Sequence, residues 1–165
     1  MRADPWRVLR VIGWGALILG SLNFLRLFPL DWPGILASWW CGWALLRRYS
    51  TFLLATAIAG GIVLADSVLS IVLLGPILLR ELGRDRLPWE GDLRPFLIPQ
   101  MLHYGVQAVF WPWAVATVLR NQEARGVTAA YAVHTRDTVI GAFCVAAWIS
   151  LVVQLWIKTL AFRLV

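Results

Sequence analysis

Between Arg94 and Arg120 the chain runs through an apolar stretch whose only ionisable side chains are His103 and Tyr104. Within it Gln100, His103, Tyr104, Gln107 and Trp111 recur at helical spacing. At about 100° per residue they fall on one face of a helix. Hydrocarbon does not solvate such a face, so it must look at another helix, a cofactor or a water-filled cavity. A chain carrying this stripe cannot be a set of independent lipid-facing helices. It has to assemble.

Composition points the same way. The 165 residues are 60% hydrophobic and 15% charged, and the mean hydropathy is +0.72. That is outside the range of an ordinary soluble domain. The charges sit in short blocks between long apolar runs, the pattern of one compact polytopic membrane domain spanning residues 1–165. The net charge is +6, and Lys158 is the single lysine among the fifteen basic residues. These cations lie near the ends of apolar runs, where they reach headgroup phosphates and bias orientation. A solvated basic face with stacking aromatics is absent, so nucleic acid is not an expected partner.

Five apolar segments are expected to be helices: 8–29, 32–46, 51–79, 96–119 and 138–157. Four have full spanning length. The second has 15 residues, about 22 Å at 1.5 Å per residue, against a hydrocarbon core roughly 30 Å thick. It carries Trp32, Trp39, Trp40 and Trp43, and it is either re-entrant or a short span in a locally thinned bilayer. The expected fold is therefore an all-α integral membrane bundle of four transmembrane helices plus one short Trp-rich helix. Arg2, Arg7 and Arg10 ahead of an apolar run with no small-residue cleavage site read as an uncleaved signal anchor. Gly60-Gly61 suggest a bend in the third segment, and Pro112 a kink in the fourth. The connection at 80–94 reads as a charge-balanced interfacial loop or helix, and that at 120–137 as a polar connection whose Ala-rich middle forms a short amphipathic surface helix. With every segment crossing, eight Lys/Arg fall on the N-terminal side and seven opposite. With the second re-entrant the division is nine and six, so the positive-inside rule does not fix the orientation. The expected location is a bacterial inner membrane.

Several polar residues inside these segments are candidate functional positions. Asp66 lies near the middle of the third segment, where an ionised carboxylate costs at least about 2.5 kcal/mol. It must be protonated, paired or hydrated. Ala55, Ala59 and Ser70 share its face and admit a close neighbour; Arg26, His103, Tyr104 and Asn23 are candidate partners. His103 suits interhelical hydrogen bonding, proton handling, or axial ligation of a haem or (bacterio)chlorophyll through a neutral imidazole. The other histidine, His134, falls in a polar connection, so a bis-histidine haem within this chain is not expected. Arg26, near the end of the first segment, either snorkels or pairs with Asp31 or Asp66. Small residues recur at Ala16/Gly20, Ala57/Gly61 and Ala142/Ala146. Cys41 and Cys144 lie in apolar segments without metal or redox spacing, and read as small buried side chains.

Eleven tryptophans accompany this pattern. Trp6, Trp32, Trp89 and Trp156 suit an aromatic belt. Trp14, Trp39, Trp40, Trp43, Trp111, Trp113 and Trp148 lie deeper, where they supply packing or contact area for partners. No nucleotide loop, HExxH, GxSxG or paired-carboxylate arrangement occurs, so an enzyme is not expected. Three functions follow. The first is a non-catalytic subunit packed against other membrane proteins, with bound lipid. The second is a proton- or ion-coupled transporter using Asp66 and His103. The third is a pigment or haem protein ligated by His103.

Overall fold

The computed structural model describes residues 5–25, 32–83, 92–125 and 135–163. Their regular structure is entirely helical: α1 (Pro5–Leu22) continued by a 3-10 turn (Asn23–Leu25), α2 (Trp32–Arg47), α3 (Phe52–Leu82), α4 (Arg94–Arg125) and α5 (Arg136–Arg163). The five helices fall on the five apolar segments. Two of them, α3 and the Arg136–Ile157 stretch of α5, are long and apolar enough to cross a membrane. The sequence led us to expect four such spans. Arg7 and Arg10 dilute α1, and the polar stripe dilutes α4. Arg26, Asp31, His134, Trp89 and most of both long connections lie outside the described residues.

Local chemistry sets the helix ends. Asp92 Oδ1 accepts the backbone N–H of Arg94 at 2.9 Å and pairs with Arg94 Nε at 3.0 Å, which satisfies a donor at the start of α4. Thr135 Oγ1 accepts the Thr138 N–H at 3.4 Å, and Asp137 occupies the first turn of α5, where a negative charge suits the helix dipole. Between α2 and α3, Arg48 adopts a left-handed φ of 57°, and Tyr49 N–H donates to Ala44 O at 2.9 Å. That six-to-one bond is the Schellman closure. It reverses the chain within four residues and lays the Arg48 guanidinium 4.9 Å from the Trp6 ring centroid.

Successive contacts define the directions. Gly13 meets Gly42 and Leu45, whereas Gly20 meets Ser38, so α1 and α2 are antiparallel. Gly60 meets Val115 and Gly75 meets Met101, with Ser67 on Gln107 between them; α3 and α4 are antiparallel too. α5 runs with α3, through Gly61 on Phe143 and Ala147 and Ser150 on Ile62. α2 thus returns the chain to the level of Trp6. It runs alongside α1 as its antiparallel partner. At 16 residues it covers about 24 Å, whereas the 31 residues of α3 cover about 46 Å. The α1–α2 hairpin therefore flanks only half of α3. Beyond it packing thins, and no residue from Ile71 to Arg80 is buried.

Glycines bring the backbones together. A Cβ on Gly61 would stand 2.5 Å from Phe143 O and 2.9 Å from Ala147 N. These are backbone atoms that cannot step aside. The Gly60-Gly61 pair does not break the helix: α3 continues unbroken through it, and the pair serves close approach of α4 and α5. α4 likewise continues through Pro99 and Pro112. The small positions Gly61 and Ala146 meet. Cys41 is buried with Sγ 3.4 Å from Thr56 Oγ1, but Cys144 is free and exposed on α5, contrary to the expectation that both are buried. Its position faces away from α3, on the outer side of the helix.

Gly61→Ala should lower the resistance of the purified protein to denaturing detergent by about 1–3 kcal/mol, the usual penalty of overpacking. Gly141→Ala, where a Cβ would meet nothing within 4 Å, should be neutral or gain up to about 1 kcal/mol of helix propensity. Equal effects at both positions, read by circular dichroism during titration, would refute the close-approach role of Gly61.

Candidate functional site

The α4 stripe turns inward. Tyr104, Gln107, Trp111, Ala114 and Val118 are buried in sequence along one face, and Gln100 and His103 are half-buried at its upper end. The sequence left open whether this face met a partner or the bundle interior. It meets the interior, wedged between the end of α1 and the middle of α3.

Its polar atoms are met from both sides. His103 Nε2 lies 2.7 Å from Asn23 Oδ1, and Gln107 Nε2 donates to the same oxygen at 2.9 Å. On the far side of the Gln107 amide, Ser67 Oγ donates to Oε1 at 3.1 Å. A carboxamide oxygen has only lone pairs to offer, so His103 carries its proton on Nε2 in this arrangement. Four side chains from three elements form one relay, from α4 through the 3-10 turn and from α4 to α3. Asn23 can play this part because the chain leaves α-helical geometry there, aiming its side chain across to α4. Any metal or macrocycle ligated at Nε2 of His103 would have to displace Asn23.

Asp66, immediately before Ser67, is 2% exposed. Ala55, Ala59 and Ser70, assigned to its face from the sequence, are all buried as well. The sequence thus located two of the three elements of the site, the stripe and the Asp66 face. It missed Ser67, which is as buried as any core residue. The signal was available: Ser67 and Ser70 are the two hydroxyls that follow Asp66 in an otherwise aliphatic run. Arg26 lies outside the described residues, and Gln100 takes no part in the relay.

The relay stands about 22 Å above Phe52 along α3, counting from Phe52 to Ser67. That is the level at which the α1–α2 hairpin stops. Among the described residues, two N–H groups there have no hydrogen-bond partner, Asn23 Nδ2 and Trp111 Nε1, although each residue is nearly or fully buried. Such orphans cost about 1–3 kcal/mol each. The cluster is a clamp that holds three elements together while carrying polar strain.

The deep tryptophans divide sharply. Trp111 is fully buried, whereas Trp14, Trp40, Trp43, Trp113 and Trp148 are exposed on the outer surface. Trp6, expected in an interfacial belt, is instead buried against Phe52 in an edge-on pair.

Gln107→Leu removes two bonds and should cost about 1–2 kcal/mol, since interhelical bonds in membrane proteins contribute roughly 0.6 and at most about 1.7 kcal/mol each. Combined with Asn23→Leu the losses should be non-additive by about 0.6 kcal/mol or more in a double-mutant cycle. Strict additivity would mean the Asn23–Gln107 bond contributes nothing. Compared with protein-family models, with curated proteins and with solved structures, the chain matches none.

Proposed function

We propose that the chain is an integral membrane bundle that serves as a non-catalytic subunit, docking against other membrane proteins through its tryptophan-rich outer surface. The observation that carries this reading is the inverted distribution of polarity. Amides, hydroxyls and Asp66 are turned inward, while Trp14 on α1, Trp40 on α2, Val109 on α4 and Trp148 on α5 are exposed. Monomers in water rarely display contiguous apolar surface on this scale. A helix that is apolar because it forms a soluble core is buried, and only 6% of the most apolar Arg136–Ile157 window is. On this reading all five helices embed, the termini lie on opposite faces, and a bacterial cytoplasmic membrane is the expected location.

Deep tryptophan on an outer face supports a protein partner in particular. Lipid-facing tryptophans gather near the headgroups, whereas large rigid aromatics well inside the apolar zone suit protein contact. Native electrophoresis after extraction in mild detergent should show the chain in an assembly heavier than its 18.6 kDa. The double change Trp113→Leu and Trp148→Leu should release it. A lone, stable monomer in native membranes and in mild detergent would exclude the subunit reading.

A second reading rests on Asp66, a buried carboxyl one residue from the Ser67–Gln107–Asn23–His103 relay. A proton-coupled transporter would use that pair of ionisable groups. Asp66→Asn should then abolish pH-dependent flux in proteoliposomes, and a parent protein that supports no flux excludes it.

A further inference from the structure

We infer that the groove between α3 and α5 is a binding site for a single glycerophospholipid, with Gln154 holding the ester region and one acyl chain lying along the groove. The inference rests on the membrane reading above. The groove encloses about 510 Å³ and is roofed at its upper end by Pro33 at the start of α2. Its floor is Ile58, Ile62, Ala142 and Ala146, and Val145 and Ile149 form an exposed outer rim. The two alanines keep the floor low where a longer side chain would fill it.

Polar groups enter at one end. Ser150 Oγ already donates to Ile62 O at 3.2 Å. Gln154, one turn further, is 5% exposed and lines the groove, yet its carboxamide is bonded to none of the described residues. A buried amide on an apolar helix face requires a polar partner, and this one lines the groove, where a ligand entering from the bilayer supplies it.

Three dimensions choose the ligand. From Ala142 to Gln154 the groove follows about 18 Å of helix, close to the depth of one leaflet's hydrocarbon, half of about 30 Å. Gln154 precedes Lys158, the first charged position beyond the apolar run, by one turn or about 6 Å. That is comparable with the polar headgroup and interfacial region, about 5–7 Å deep on each side of the hydrocarbon core. An ester carbonyl at Gln154 Nε2 therefore leaves the phosphate at the level of Lys158 and the acyl chain running toward Ala142. A spanning partner helix would instead press along the whole of α5 and needs no polar group at one end alone.

Native mass spectrometry of the detergent-purified protein, titrated with palmitoyl-oleoyl phosphatidylglycerol, tests the site. One tightly retained lipid per chain is expected. Gln154→Leu should lower its occupancy about fivefold, the factor associated with one net hydrogen bond. Val145→Trp, on the exposed rim, should block it without touching the packed face, and Val152→Trp, elsewhere on the exposed surface of α5, should leave it intact. Unchanged occupancy in both Gln154→Leu and Val145→Trp overturns the proposal, as does a stoichiometric polypeptide occupying the groove in place of lipid. A parent protein recovered in the supernatant without detergent overturns the membrane reading itself, an outcome distinct from failure of the groove alone.

Discussion

Everything in this bundle depends on where α4 finds partners for its polar stripe. A helix bearing Gln100, His103, Tyr104 and Gln107 on one face cannot present that face to hydrocarbon, where unsatisfied polar groups cost several kcal/mol. The solution is a wedge. Asn23, delivered by the 3-10 turn after α1, accepts from His103 and Gln107, and Ser67 of α3 donates to Gln107 from the other side. Once α4 is clamped in this way, α3 must be its antiparallel neighbour and the α1–α2 hairpin must end at that level.

The remaining architecture follows from that placement. α3 becomes the central helix, and Gly60-Gly61 let α4 and α5 reach its backbone. With the polar groups internal, large apolar side chains are left to the outside, tryptophans among them. The hairpin is too short to cover the upper half of α3, so burial falls away above the relay. Association in hydrocarbon is driven by close packing and interhelical hydrogen bonds, because lipid tails are as apolar as leucine. Both devices are present, at Gly13 on Gly42 and Gly61 on Phe143 for the first, and in the Asn23 relay for the second.

Helix number and placement were legible in the sequence because each rests on a local signal: apolar run length, arginine at the ends, and polar spacing of three or four. The inward stripe was legible as a face but not as an address, since periodicity says which residues point together and not at what. Asn23 reads from the sequence as a polar intramembrane candidate, but its pairing with Gln107 depends on the chain leaving α-helical geometry at that residue, which no local pattern announces. Gly60-Gly61 read as a bend because the cost of glycine within a helix is local, whereas its benefit, a backbone contact with Phe143, lies eighty residues away. Gln154 is visible in the sequence as the lone amide of the last segment. Its meaning comes only from the groove that α3 and α2 build around it.

The membrane reading proposed above requires that one face of α4 is shielded inside the bundle while the other faces hydrocarbon. Spin labels placed singly along α4, from Gln100 to Trp113, in protein with Cys41 and Cys144 replaced by alanine and reconstituted in bilayers, measure this directly. Collision with oxygen, which concentrates in hydrocarbon, should peak at Leu102, Val106, Val109 and Trp113. It should fall to a minimum at Tyr104, Gln107 and Trp111, with low collision by a water-soluble nickel chelate throughout. Nickel collisions peaking at Leu102, Val106 and Val109 would contradict the account, because the outer face would then be in water and the bundle would have no hydrocarbon to exclude its polar stripe.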